Sequence, residues 1–218
     1  MLPAVILTAA AILLAALLWF ERWPHSAGRV LAKTGLSSLF VLTAVLQPHA
    51  IRNYYFLILI ALIFCLGGDV FLALPREKTF LGGLLLFLLG HVFYCFAFFT
   101  AVALNGWTLA GLVATAMAGV VVYHWLQPNL GSLKIPVILY IVVISVMVVG
   151  AVTVCGQPSF DPPGRWLVLS GALSFYVSDL FVARNRFMKI EFTNRLLGLP
   201  LYYTGQFCLA FSIGVLHP

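Results

Sequence analysis

Apolar residues run almost unbroken over eight long stretches of this chain, roughly 2–20, 30–46, 54–74, 80–104, 107–126, 134–154, 166–183 and 196–216. Short polar, Pro or Gly punctuation separates them: Glu21 to Arg29, Gln47 to Asn53, Pro75 to Thr79, Asn105-Gly106, Gln127 to Gly131, Cys155 to Arg165 and Arg184 to Arg195. A helix crossing a bilayer needs about 20 apolar residues, whereas a membrane β-strand alternates over about 10. The runs are too long and too uniform for strands, and in lipid only helices and closed barrels satisfy their own backbone. The pattern therefore predicts an all-α polytopic bundle of eight transmembrane helices. The connections leave no room for a soluble domain, so residues 1–218 read as a single transmembrane domain. The first run lacks a basic leader and closes with Glu21-Arg22 only after spanning length, which predicts a helix that stays rather than a signal peptide.

Composition narrows the function. The chain is 63% hydrophobic and 8% charged, where a soluble domain carries about 25% charged residues. This excludes a soluble enzyme, a disordered tail and a nucleic-acid binder; the expected surroundings are membrane lipids. The net charge of +6 is distributed unevenly. Arg22, Arg29, Lys33, Arg76, Lys78, Lys134, Arg184, Arg186, Lys189 and Arg195 follow or flank runs 1, 3, 5 and 7; only Arg52 and Arg165 lie on the other side. The positive-inside rule places the ten-charge side in the cytoplasm and both termini outside, the arrangement expected of an integral protein of a bacterial cytoplasmic membrane. Cys65, Cys95, Cys155 and Cys208 form no metal-type spacing and read as small packing residues.

An internal repeat is visible. Gly67-Gly68-Asp69-Val70-Phe71-Leu72-Ala73 in the third run resembles Val177-Ser178-Asp179-Leu180-Phe181-Val182-Ala183 in the seventh; Gly90-His91 in the fourth parallels Gly205-Gln206 in the eighth; Lys33 and Lys134 mark the second and sixth. Helices four apart run in the same direction, so the expected arrangement is a parallel four-plus-four repeat.

Asp69 and Asp179 carry the chemistry. A charge at the bilayer centre costs about 2.5–3.5 kcal/mol on insertion scales, so such residues face a partner in the bundle interior. Counted along a helix, both sit roughly 7–9 Å from the same membrane boundary. Lys33 lies about one turn inside its run on that side, followed by Thr34, Ser37 and Ser38, and suits a phosphate or a carboxylate partner. His91, with Tyr94 one turn on, lies near the midplane. Tyr203 and Gln206 share a face of the last run beside Tyr202, Tyr140 lies about 9 Å into the sixth, and Ser174 and Ser178 line one stripe of the seventh. Together these groups predict a polar cavity opening toward the cytoplasmic leaflet. No nucleophile elbow, zinc-protease helix, phosphate loop or dinucleotide fingerprint is present.

Several segments in order resemble the YhhN-like lysoplasmalogenase family of eight-span membrane proteins: Lys33-Thr34, Gly67-Gly68-Asp69, Gly90-His91-Val92-Phe93-Tyr94, Tyr140 with Met147, Gly171-Ala172 through Ser178-Asp179 to Ala183, Asn185-Arg186-Phe187, and Tyr202-Tyr203 with Gly205-Gln206. Thr204 after the tyrosine pair and the lack of a proline after Lys33 depart from the family pattern. The resemblance implies hydrolysis of the vinyl ether bond of a lysoplasmalogen, a lysophospholipid, to a fatty aldehyde and glycerophosphoethanolamine or glycerophosphocholine. It implies Asp69 and Asp179 as the catalytic pair, with Lys33, His91, Tyr94, Tyr140, Ser178, Asn185, Arg186, Tyr203 and Gln206 as the substrate-binding set, and no metal or organic cofactor.

That chemistry suits two carboxylates. A proton delivered to the vinyl β-carbon creates an oxocarbenium ion, the electronic demand that paired carboxylates meet in glycosidases. Two rival readings remain open here. An intramembrane aspartyl protease also uses two aspartates, but its GxGD signature would need Gly where the chain has Leu66, and its other Asp follows Tyr where the chain has Ser178. A proton-coupled transporter would suit a parallel repeat with buried acids.

Overall fold

The computed structural model describes residues 2–23, 25–74 and 77–217, with the backbone alone of Glu77 and Lys78. Arg76 and the Lys78 side chain, counted above toward the basic side, lie outside the described residues. Eight α-helices follow one another: α1 (Leu2–Arg22), α2 (Ser26–Leu46), α3 (Arg52–Ala73), α4 (Glu77–Ala101), α5 (Gly106–Leu126), α6 (Lys134–Cys155), α7 (Pro162–Phe187) and α8 (Phe192–Val215). All eight are long and apolar enough to cross a membrane, and no strand occurs among the described residues. The chain has the architecture of an integral membrane protein.

Helix ends depart from the apolar runs where local backbone chemistry prevails over hydropathy. Helix α2 begins four residues early, because the His25 ring accepts from the Gly28 N–H at 2.9 Å and caps the helix at Ser26. Helix α7 starts at Pro162, whose fixed φ suits a first turn. It continues through Arg184, Asn185 and Arg186, which hydropathy assigns to a loop. Helix α4 stops at Ala101, short of the expected 104. Asn105 must be extended to cap α5, accepting from the Trp107 N–H at 3.0 Å, while its amide donates to the Thr153 carbonyl at 3.1 Å.

Packing is uneven. Helix α8 is the most enclosed, running against α7, α2, α3 and α1. Helices α1 and α5 sit at the periphery: α1 buries only Ile6, Ala10 and Leu17, and α5 only Gly111, Thr115 and Leu126. Two helix pairs are drawn close by glycines. In α3/α4, a Cβ on Gly83 would stand 3.2 Å from the Gly68 carbonyl oxygen, and one on Gly90 3.2 Å from that of Ala61. In α7/α8, a Cβ on Gly198 would stand 3.6 Å from the Ser178 carbonyl oxygen, and one on Gly205 2.9 Å from that of Gly171. Gly68 and Ser178 each precede an aspartate, so the same two approaches recur in each half at matching positions. Helix α4 also packs on α6 as α8 packs on α2. Lys33 and Lys134 do not match in this frame: Lys134 is the first residue of α6, whereas Lys33 lies two turns inside α2.

The α7–α8 turn is tied by Arg184, which pairs with Glu191 at 2.7 Å and donates to Asn194; the Asn194 amide donates to the Lys189 carbonyl at 2.8 Å and the Asn185 side chain at 3.2 Å. Hydrogen bonds from Lys189 and Arg184 hold the Glu191 carboxyl below the usual carboxylate range. Glu21, with an 8% exposed side chain, faces Arg29 at 4.0 Å and Arg195 at 3.7 Å, joining α1 to α2 and α8.

A candidate active site with two carboxylates in one cavity

One cavity, about 1090 Å³ with its open mouth included, lies at the end of the bundle where α3, α5 and α7 finish and α2, α4, α6 and α8 begin. Among the described side chains, this end holds Arg22, Arg29, Lys33, Lys134, Arg184, Arg186, Lys189 and Arg195, and the other end Arg52 and Arg165. Asp69 and Asp179 both line the cavity.

The two carboxylates differ in their partners. Asp69 is 1% exposed and accepts three donors from two other helices: Lys33 Nζ at 3.0 Å, Ser37 Oγ at 2.6 Å and Tyr202 Oη at 2.7 Å. Lys33 and Ser37 stand one turn apart on α2 and so reach the same carboxylate. Lys33 is itself only 4% exposed, and a buried ion pair of this kind holds only when both members are present and further hydrogen bonds complete it. Asp179 is half-buried and accepts from Tyr140 Oη at 2.6 Å, its one hydrogen bond among the described residues. In both halves, then, the aspartate of α3 or α7 takes a hydroxyl from the helix before it.

The rest of the predicted set divides. Lys33, Tyr140, Ser178 and Arg186 line the cavity with the aspartates, although the Ser178 hydroxyl donates to the Phe175 carbonyl of its own helix at 2.7 Å. Arg186 stands at the mouth with its guanidinium 4.5 Å from the centre of the Phe80 ring. Asn185 is not a wall residue and accepts from Asn194 in the turn. His91, Tyr94, Tyr203 and Gln206 are not wall residues either. His91 and Tyr94 form a buried layer around Phe175, whose ring lies 4.5 Å from His91, 6.5 Å from Tyr94 and 5.2 Å from Tyr202. In that layer Tyr94 donates to Gln206 Oε1 at 2.6 Å, and His91 Nδ1 donates to the Phe87 carbonyl at 2.6 Å. A carbonyl only accepts, so the remaining ring nitrogen of His91 is free of hydrogen when the ring is neutral. His91 touches the site indirectly, its ring edge-on to Tyr140 at 5.2 Å.

Sequence reasoning missed Ser37 and Tyr202 as partners of Asp69, and Asn194 and Arg195 as wall residues at the mouth. Ser37 stands one turn after Lys33, and Tyr202 one turn before Gln206, so the spacing held both signals. The fourth helix was expected to contribute the polar groups of His91 and Tyr94 and instead supplies Phe80, Leu84 and Phe87; α5 adds Val122 and Leu126. The polar groups of the cavity thus come from α2, α3, α7 and α8 and from Tyr140 of α6, whereas α4 and α5 supply only apolar side chains. No cluster of three or more His, Cys, Asp or Glu side chains that could hold a metal occurs among the described residues.

Comparison with known proteins places this arrangement. The chain is 34% identical over 171 residues to the lysoplasmalogenase TMEM86A of Homo sapiens, which covers 76% of this chain and 66% of the relative. It is 32% identical over 178 residues to TMEM86A of Bos taurus, covering 79% and 68%, and 30% identical over 178 residues to a lysoplasmalogenase of Mycobacterium bovis, covering 79% and 64%. The chain thus spans about two thirds of the length of these relatives. No solved structure matches it. The sequence model of the YhhN family matches residues 28–213, from the first turn of α2 to the last turn of α8, and the chain belongs to that family.

Proposed function

We propose that this chain is a membrane hydrolase that cleaves the vinyl ether bond of lysoplasmalogens, releasing a fatty aldehyde and a glycerophosphoethanolamine or glycerophosphocholine. The observation that carries the reading is the pair of carboxylates with unequal partners in one cavity, taken with relatives that bear the name lysoplasmalogenase. Asp69, held by an ammonium and two hydroxyls, is the ionised member. Asp179, with a single neutral donor, carries the proton. Asp179 protonates the β-carbon of the vinyl ether, and the positive charge that develops on the ether oxygen and its carbon is stabilised by the Asp69 carboxylate. Water adds to that carbon and returns a proton to Asp179. The hemiacetal then expels the glycerol oxygen, which takes the hemiacetal proton, so one water is consumed and no other co-reactant is needed. The unequal environments of two carboxylates set their separate roles.

The headgroup belongs at the mouth, where Arg186 and Arg195 offer planar donors suited to a phosphate. The whole chain acts as a single transmembrane domain with this end toward the cytoplasm of a bacterial inner membrane and both termini outside, the orientation favoured by the basic charge.

Purified protein in detergent, given a lysoplasmalogen, is expected to release an aldehyde detected by hydrazone formation. The saturated ether analogue and an ester lysophospholipid serve as controls and should remain intact. Cleavage of the ester without aldehyde from the vinyl ether would overturn the reading.

A further inference from the structure

Resting on the lysolipid reading above, we infer that Glu21 of α1 is a positioning residue for the headgroup: it holds the Arg195 guanidinium at the cavity mouth, where that guanidinium meets the phosphate. Arg195 stands in the first turn of α8 and lines the cavity. Its side chain is long and 32% exposed, so without a support it would lose much rotamer freedom on gripping a ligand. Glu21 lies in the last turn of α1 and is not a wall residue. Its side chain is nonetheless buried, and one oxygen, Oε2, faces both Arg195 Nε at 3.7 Å and Arg29 Nη1 at 4.0 Å. Among the described residues no other carboxylate pairs with either arginine.

Two guanidinium groups gathered at one oxygen repel each other, and the shared carboxylate is what lets both stay. A contact of 3.7 Å is an attraction of charges rather than a hydrogen bond. It fixes where Arg195 stands without consuming its donors. The Nε side of the group turns to Glu21, which leaves the edge formed by the two terminal nitrogens, and one such edge can grip a phosphate with two parallel bonds. A second contact brings α1 to this place: the Arg22 guanidinium lies 5.3 Å from the centre of the Phe192 ring, one turn before Arg195 on α8. Arg186, the other arginine of the mouth, has a support of a different kind in the Phe80 ring. Helix α1 thus adds nothing to the cavity wall, yet through Glu21 it sets the affinity for a phosphate-bearing headgroup rather than the rate of bond cleavage.

The test uses the full-length protein and reads KM and kcat separately. Arg195→Gln is expected to raise KM for a lysoplasmalogen at least about tenfold, the loss of a charge-assisted hydrogen bond. Glu21→Gln should raise it about three- to tenfold, with kcat within about twofold of the unaltered protein in both. A 1-alkenylglycerol, which has the vinyl ether but no phosphate, should keep its KM in either variant. Glu21→Gln with Arg195→Gln should be no worse than Arg195→Gln alone, because the carboxylate acts through the guanidinium. Arg22→Gln, which leaves Glu21 in place, should not move KM. Equal rises on both substrates, a rise in Arg22→Gln matching that of Glu21→Gln, additive losses in the double variant, or a KM unchanged or lowered by Glu21→Gln would each overturn the inference. A second measurement does not depend on turnover. A radiolabelled saturated ether lysophospholipid, bound to the protein in a scintillation proximity assay, is expected to weaken by the same factor in Glu21→Gln. That weakening without aldehyde from the vinyl ether would overturn the hydrolase reading alone, whereas aldehyde release with binding unchanged in Glu21→Gln would overturn the role of Glu21 alone.

Discussion

Lys33 governs what Asp69 can do. Its ammonium, 3.0 Å from the carboxylate and almost wholly buried, is the one cation paired with it among the described residues. Lys33→Met leaves an uncompensated buried carboxylate and is expected to destabilise the protein by about 3–5 kcal/mol, read as thermal unfolding in detergent. Lys33→Met with Asp69→Asn should be less destabilised than Lys33→Met alone, because the double variant has no orphaned charge; equal destabilisation would show that the pair is not an energetic unit. At this scale the sequence was informative where a charged residue interrupts an apolar run. Asp69, Asp179 and Lys33 stood out for that reason, and Tyr140 by its depth. It was uninformative where a helix carries polar groups on more than one face. Tyr202 and Tyr203 are adjacent and differ by about 100° of rotation, and only tertiary packing, of α8 against α7, α2 and α3, decides that Tyr202 is the one that reaches Asp69. His91 shows the same limit: an intramembrane histidine suits a cavity wall and a buried layer equally, and the 2.6 Å bond to the Phe87 carbonyl belongs to the second.

The helix pairs α3/α4 and α7/α8 set the position of each aspartate, and glycines permit their approach. A Cβ at Gly205 would stand 2.9 Å from the Gly171 carbonyl oxygen, and a backbone atom cannot rotate away. Gly205→Ala is therefore expected to lower stability by about 1–3 kcal/mol through forced separation of α7 and α8. Gly106→Ala, where nothing lies within 4 Å, should be neutral or slightly stabilising by the reduced freedom of the unfolded chain. Thermal shifts of the two variants in one detergent decide this; equal losses would contradict it. The recurrence of these approaches at Gly83 and Gly90, then Gly198 and Gly205, bears on the repeat read from the sequence. The motif around the two aspartates and the Gly90/Gly205 pair keep their register in space, whereas the Lys33/Lys134 match does not. Helix ends were the least legible feature, because Asn105, His25 and Pro162 set them through backbone bonds that hydropathy does not record.

The eight-span bundle was legible as a whole, since in lipid the length of an apolar run decides the element. The identity of the neighbours was not: that α8 lies at the centre while α1 and α5 lie at the edge follows from side-chain fit, not from hydropathy. The orientation proposed here puts the cavity mouth and its arginines in the cytoplasm. A C-terminal alkaline phosphatase fusion in bacteria should accordingly be active and a C-terminal green fluorescent fusion dark; the opposite pair of signals would reverse the membrane orientation without altering the site. The central claim is the joint action of two unlike carboxylates, and it is tested most directly by aldehyde release from a lysoplasmalogen by purified Asp69→Asn and Asp179→Asn proteins whose folding is verified by thermal unfolding. Each is expected to lose activity by about a thousandfold, within the range that a positioned acid or base contributes. Turnover near that of the unaltered protein in either variant would contradict the account.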